Sequence, residues 1–500
     1  IVYNAAIIKA ELLWMESGHN GGYMAKIVFV IPKTQGRFGK PATPHVGISY
    51  LAAYIRGRGH QPAIIDLRVE PFSLEELKKR ISDENPDFVG VTSVSFEYKK
   101  SYELINTISS WGMPVIYGGP HVSTVRQDIY EGCHPYAAVC GEGEEKLCDI
   151  LDKKPLNSIQ GIIFADAQGK VVVTPPRQSI SDLDTIPFPA YELSKQHLYA
   201  EKKIPLTTSR DCPHSCTYCG VKLVMGKGFR KRSPENVLAE IELWYNRGYR
   251  LFGINDDTFT SDISRAVRVC ELIIEKKLDI TWELRTGIRV DRINEQLLRL
   301  MKQAGCHFLA YGIESIDDTV LKNVKKGITY SQIEQAVALT EKVGMHFSGF
   351  FMIGLPGDTF ENFKKLYAFA STHAFNEVRF YNLMPYPNTE VFQWMREHGT
   401  FIEQPEEYLN DSERLQKDPV CETREFTREE RVRAYEMGES LMVKLILKKT
   451  FGRMLGGLIS PLCDIGPIRR AILYLGFKFT KVVRILQRIV EYSSRTPQAS

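Results

Sequence analysis

Residues 208–220 read TSRDCPHSCTYCG, and the rest of the chain is organised around this stretch. Cys212, Cys216 and Cys219 stand in a CxxxCxxC spacing, with Tyr218 just before the last cysteine. Pro213 and Gly220 keep the loop tight, so three thiolates can converge on one metal centre. A closed structural zinc site takes four protein ligands, and this loop offers three sulfurs. A cubic iron–sulfur cluster has four irons, so three cysteines leave one iron open to a further ligand. A zinc knuckle completed by His214 is the other reading of the same residues.

Composition sets outer limits. Five hundred residues, 43% hydrophobic and 25% charged, are ordinary for globular protein and imply about three domains. The net charge of +4 is too small to imply nucleic acid. Its distribution is uneven, because residues 441–500 carry eleven Lys/Arg against Asp464 and Glu491. The seven cysteines outside the central loop show no paired framework, which suits a reducing, cytoplasmic setting. No apolar run approaches the roughly 18 residues of a membrane span. Residues 1–24 read as a leader or fragment edge, with Met24-Ala25-Lys26 resembling a natural start.

From Lys26 onward, short apolar runs at 26–31, 63–66, 88–91, 115–117 and 136–139 alternate with helical spacing. That pattern predicts a parallel, doubly wound sheet over 25–151, with ligands bound outside the carboxyl ends of its strands. Those ends carry Pro44-His45-Val46-Gly47, Thr92-Ser93-Val94-Ser95, Gly118-Gly119-Pro120-His121 and Gly141-Glu142-Gly143-Glu144. Glycines let backbone approach a ligand closely, and hydroxyls supply donors. Residues 152–200 form a connector: a hairpin over 161–173, then a proline-rich strap over 183–191.

Six further strand-like stretches, at 204–209, 251–255, 280–285, 308–314, 346–353 and 377–383, alternate with helical segments. Six β/α units over 201–400 predict an open, partial TIM-like barrel whose chemistry lies at the C-terminal strand ends. There the sequence places the cysteine loop, Asn255-Asp256-Asp257-Thr258, Arg285, Gly312-Ile313-Glu314-Ser315, the Gly349–Gly357 turn and Pro385-Tyr386-Pro387-Asn388-Thr389. Asp257 or Thr258 could also cap the following helix. Arg285 suits a carboxylate partner through its planar fork.

These motifs, in this order, resemble the cobalamin-binding radical S-adenosylmethionine (SAM) family over residues 26–395. The resemblance implies a 4Fe-4S cluster on Cys212, Cys216 and Cys219 as the catalytic metal site. It implies SAM contacts from Tyr218, Asp256, Arg285, Glu314, Ser315, Gly354 and Pro356. Cobalamin contacts would come from Pro44, Ser93, Gly118, Gly119, His121, Glu142 and Gly143. The chain lacks the Asp-x-His-x-x-Gly string found in many cobalamin domains, which argues against a histidine lower ligand on cobalt. Asn388 stands where the family has glycine.

The implied activity is an oxygen-sensitive methyltransferase acting on an unactivated carbon through a 5′-deoxyadenosyl radical. The substrate would be a small or lipid-like molecule held in a closed cavity, and a low-potential donor would supply electrons. Radical cyclisation or rearrangement without net methylation is the nearest alternative. Methylthio transfer to RNA would need a second three-cysteine cluster, for which only Cys133, Cys140 and Cys148 stand upstream. A non-catalytic iron–sulfur or zinc binding protein is the remaining reading.

Residues 401–500 fall outside the motifs. After a charged loop at 403–421, helices resume from Thr427, and 477–492 combines basic with apolar positions at helical spacing. Such a helix suits peripheral contact with an anionic membrane through 441–500, or plain packing on the barrel.

Overall fold

The computed structural model describes residues 24–33, 41–226, 228–410 and 417–478. Residues 1–23, the middle of the 32–44 loop, most of the charged run before Asp418 and nearly all of 477–492 lie outside the described residues, and with them the expected leader or fragment edge and the expected basic helix. The chain divides into two units. One comprises residues up to Pro205 with 221–226 and 230–232; the other holds 206–220, 227–229 and 233 onward.

In the first unit, β1 (Lys26–Ile31), β2 (Gln61–Asp66), β3 (Phe88–Thr92), β4 (Val115–Gly118) and β5 (Ala137–Val139) form parallel ladders in the order β2-β1-β3-β4-β5. Strand β1 shows why. Ile27, Phe29 and Ile31 enter one core while Val28 and Val30 enter the other. A strand apolar on both sides belongs in a sheet covered on both faces. The order reverses between β1 and β3, the switch point at which such sheets bind ligands.

One expectation is corrected. The hairpin β6 (Ile162–Ala165) and β7 (Val171–Val173) is not a separate connector. It extends the same sheet, with β6 antiparallel to β5, so the sheet has seven strands. Ile162 and Ile163 are buried in the two opposite cores, which is what pins the hairpin there. The proline-rich strap also packs on this unit. Ala190 N–H donates to Ser49 O at 2.9 Å, and the buried Tyr191 hydroxyl donates to Pro205 O at 2.7 Å.

The second sheet, six-stranded, holds β8 (Lys203–Leu206), which straddles the boundary between Pro205 and Leu206, and, wholly in the second unit, β9 (Leu251–Ile254), β10 (Thr281–Ile288), β11 (Cys306–Glu314), β12 (His346–Ile353) and β13 (Glu377–Asn382). They run in sequence order, and among the described residues β8 and β13 are the unpaired edges, so the arc is open. Ladders from β9 to β13 are parallel. Helices fill the gaps, each begun by a side chain that accepts an orphan N–H. Asp262, rather than Asp257 or Thr258, caps the helix after β9, accepting from Arg265 N–H. Thr258 instead bonds Ser261 at 2.8 Å.

Beyond the barrel, Thr400-Phe401 pairs antiparallel with Cys421-Glu422, and a short helix, Pro405–Tyr408, interrupts the expected loop. Helix α1 (Arg428–Ile459) then runs on to a kink at Gly452, where φ is +77°. Among the described residues, no helix is long and apolar enough to cross a membrane.

Candidate active site

The cysteine loop leaves the end of β8 under tight control. Asp256, at the end of β9 and buried, accepts the Thr208 N–H at 2.5 Å, the Thr208 hydroxyl at 2.5 Å and the Ser209 hydroxyl at 2.7 Å. Arg265 Nη2 donates to Thr208 O at 2.6 Å. The Asp256 carboxylate therefore fastens the root of the loop. Further along, Thr217 N–H donates to Val324 O at 3.0 Å, and Val391 N–H donates to Thr217 O at 3.1 Å. Between these anchors Cys212, Cys216 and Cys219 are half-buried and unbridged. Burial pushes the Cys212 thiol up, and Arg289 opposes that shift.

No three His, Cys, Asp or Glu side chains among the described residues meet in the geometry of a single-ion site. Each thiolate of a cubic cluster binds a different iron, so its three sulfurs stand further apart than the ligands of one ion. His214 stands in no such single-ion group. Its pKa is lowered to about 4 by burial and then by Arg289, against Asp291, with Arg292 and Lys326 adding to the effect. Its Nε2 is buried without a hydrogen-bond partner. Three accessible thiols fit a cluster better than a closed zinc site.

Tyr218 is tied to the end of β11. Lys326 Nζ lies 3.1 Å from the Tyr218 hydroxyl and 3.0 Å from Glu314 Oε1. The Lys326 and Glu314 side chains are only 7% and 13% exposed, so this is a nearly dry ion pair. Arg289 holds the lysine's backbone by donating to Lys326 O at 2.6 Å and Gly327 O at 3.1 Å. Glu314 sits at φ +67°, beyond a register shift in its ladder with β12. A non-glycine residue in that region is held by its surroundings, and such positions cluster at functional sites. Ser315 is buried, and its hydroxyl accepts the Asp317 N–H at 3.1 Å.

The Gly354–Asp358 turn follows β12. Gly354 has φ +85° and donates its N–H to Asp358 Oδ2 at 2.9 Å; Pro356 O accepts from Asn323 at 3.0 Å. Arg431 of α1 is fully buried beneath this turn, donating to Phe426 O at 3.0 Å and Cys421 O at 3.1 Å. The sequence reading missed Lys326, Arg289 and Arg431. Lys326 sits in a lysine-rich turn and Arg431 in REERVR, both of which read as solvated surface.

Arg285 is corrected in position. Strand β10 continues to Ile288, so Arg285 lies mid-strand rather than at its end. A register irregularity between Leu284 and Ile288, with Gly287 at φ +93°, carries the strand past it.

In the first unit the residues named for cobalamin divide into two groups. Those at the strand ends with open backbone include Gly118, where an added Cβ would meet nothing nearer than Val139 O at 4.0 Å. Gly119, at φ +105°, needs its bare backbone for the protein itself, since a Cβ would overlap Thr92 and Ser93. Pro44 is buried ahead of a helix that His45 caps, and Gly143 opens the helix Glu144–Leu151.

The polar side chains of this group are engaged. The Ser93 hydroxyl is 2.5 Å from that of Tyr117. Glu142 takes a double contact from Arg230 at 2.8 and 2.9 Å. His121 stacks on Tyr98, with ring centroids 4.7 Å apart, and bonds Tyr102 at 3.0 Å and Ser95 at 3.3 Å. Both its nitrogens are occupied. Open backbone at Gly118 on the sheet's ligand edge fits a cofactor that approaches the main chain. Cys133 and Cys148 lie in opposite cores of this sheet and cannot converge on a second cluster.

Comparison with known proteins defines the class. The radical SAM superfamily model matches residues 206–370, and the B12 binding domain model matches 40–151. The uncharacterized methyltransferase PH0819 of Pyrococcus horikoshii is 32% identical over 81% of this chain and 89% of its own. The bacteriochlorophyllide d C-8(2)-methyltransferase of Chlorobaculum tepidum is 26% identical over 65% of this chain and 72% of its own. The radical SAM methyltransferase TsrM of Kitasatospora setae, solved with cobalamin and a 4Fe-4S cluster bound, shares the fold. Its TM-score is 0.70 at 17% identity, covering 90% of this chain and 99% of that one. The chain belongs to the radical SAM superfamily and is an enzyme of the group that carries a B12 binding domain.

Proposed function

We propose that this enzyme is a cobalamin-dependent methyltransferase acting on an unactivated carbon of a small molecule. In this reading Cys212, Cys216 and Cys219 hold the 4Fe-4S cluster. SAM lies along the β9–β12 strand ends, and cobalamin lies over the strand ends of residues 25–151. When bound, cluster and SAM supply a 5′-deoxyadenosyl radical, and cobalamin supplies a transferable methyl group. The observation that carries the reading is the three-thiol loop, anchored by Asp256 and adjoining the buried Tyr218–Lys326–Glu314 cluster.

The protein's own residues position the parts. Asp256 and Arg265 fix where the loop starts, while Lys326 holds Tyr218 and Glu314 in register. Arg289 is a buried cation beside the cysteine loop and opposes the upward push of burial on the Cys212 thiol. Fixing charge in a water-poor site is how such an enzyme keeps reactive atoms aligned.

Anaerobic reconstitution with iron, sulfide, cobalamin, SAM and a low-potential reductant tests the reading. Cobalt at about one per chain, 5′-deoxyadenosine formation and a product heavier by one methylene are expected. A product changed only in hydrogen or oxygen would make the enzyme a cyclase or rearrangement catalyst. No 5′-deoxyadenosine, with Cys212→Ala indistinguishable from wild type, would end the proposal.

The finer reading of location is a cytoplasmic enzyme with peripheral contact to anionic membranes. Phe451, Leu462 and Ile465 are exposed in the C-terminal segment, as are Lys448 and Arg470, which supports it. Equal partitioning of the full chain and a 1–440 truncation onto anionic liposomes would remove it.

A further inference from the structure

The interior of a closed β/α barrel is packed with branched apolar side chains. The inner face of this open barrel is different. Register pairs Phe350 with Arg379 and Ser348 with Glu377 across β12 and β13, and Glu283 with Phe308 across β10 and β11. The alternate positions Leu284, Phe351 and Phe380 are buried on the opposite face. The inward row thus carries two arginines and two glutamates.

They are arranged in layers. On each strand an arginine is fastened through Nε to the glutamate two residues before it. Arg285 Nε donates to Glu283 at 2.7 Å, and Arg379 Nε donates to Glu377 at 2.6 Å. Glu377 also lies 3.8 Å from Arg285 Nη1, linking the two forks. Arg285 Cζ lies over the Phe308 ring, 4.1 Å from its centre.

The cluster is neutral by count, and exposure decides which charge a ligand meets. The Glu283 and Glu377 side chains are 7% and 19% exposed, against 51% and 40% for Arg285 and Arg379. The carboxylates lie underneath and the guanidiniums on top. Arg285, clamped at Nε and backed by a ring, and Arg379, held by Glu377 at both Nε and Nη2, lose little freedom when they bind, so they are pre-organised receptors. Beside them the half-buried rings of Phe350 and Tyr381 stand 6.2 Å apart, an aromatic wall in which Tyr381 also hydrogen-bonds Arg379.

We propose that this inner face recognises the acidic end of the enzyme's substrate, an anion with an aromatic or apolar body. Arg285 and Arg379 would receive its carboxylate or phosphate, and Phe350 and Tyr381 its body. The assignment deepens the methyl-transfer reading and rests on it for the identity of the ligand as substrate.

The test titrates the full-length, cluster-loaded protein with SAM present, by ligand-observed NMR. The probes share one ring: 3-phenylpropionate, phenyl phosphate, 3-phenylpropanol and 3-phenylpropylamine. At least one anion binds tenfold or more tightly than the alcohol and the amine, and the better anion says whether the receptor suits carboxylate or phosphate. Arg285→Gln and Arg379→Gln each weaken that anion about tenfold with an unchanged circular dichroism spectrum. If Arg379→Gln misfolds, the half-exposed Arg285→Gln carries the test. Equal affinity for all four probes overturns the proposal. So does anion binding untouched by Arg285→Gln, or a loss of SAM affinity in its place. No turnover is required, so selective anion binding by a protein that makes no methylated product would sink the methyl-transfer reading and leave this receptor standing.

Discussion

The guanidinium of Arg431 occupies the space that a β-carbon on Gly354 would need. A helix more than seventy residues downstream thereby shapes the turn that follows β12, and the two positions constrain each other.

Gly354→Ala combines a left-handed backbone at φ +85° with that overlap. It should cost about 2–4 kcal/mol and weaken SAM binding, read by urea unfolding and equilibrium dialysis. Wild-type stability in the alanine variant would show that the guanidinium yields freely.

Lys326→Met should leave Glu314 charged and unpaired in a nearly dry site, at a cost of about 3–5 kcal/mol. Adding Glu314→Gln should recover at least half of that loss. Additive losses in the double variant would mean the pair is not coupled.

Asp256→Ala strips one backbone N–H and two hydroxyls of their acceptor. A stability loss of about 3 kcal/mol should accompany iron loading below half of wild type, with the circular dichroism spectrum unchanged. Full iron loading would show that the loop holds its shape without this anchor.

His121 is buried, and burial lowers its pKa from 6.5 to about 4. The unfolded chain therefore binds a proton between those values that the folded chain refuses. The neutral ring's contribution is intact above pH 6.5 and declines as pH falls toward 4. At pH 5 the loss from this group is about 2 kcal/mol. Urea unfolding at pH 7 and pH 5 should show it in the wild type, and His121→Phe should lack that share. An identical pH response in both proteins would remove the assignment.

Much of this architecture could be read from local pattern. Strands Lys26–Ile31 and His346–Ile353 fall where their apolar runs begin and end. Helix Tyr330–Val343 starts on a Thr329–Gln332 capping box and stops at left-handed Gly344, signals a few residues long. The cysteine loop was legible because its chemistry needs a fixed spacing. What escaped depends on distant partners. Thr286-Gly287 looks like a strand terminus, yet pairing with β11 carries β10 through it. His121 and Glu142 read as ligand contacts by their place at strand ends, but Tyr102, Ser95 and Arg230 already engage them. Arg431 is charged in sequence and buried in the fold only because Phe426 and Cys421 turn their carbonyls toward it.

The hairpin that extends the first sheet has a practical consequence. The B12 binding domain match stops at residue 151, before that hairpin begins. A polypeptide cut there would bare the hydrogen-bonding groups along the three-residue strand Ala137–Val139, together with the flank of Ile162 and Ile163's former neighbours. An unpaired β edge invites self-association. A fragment prepared to isolate the first sheet should therefore run past Val173, or it will precipitate for reasons unrelated to any cofactor.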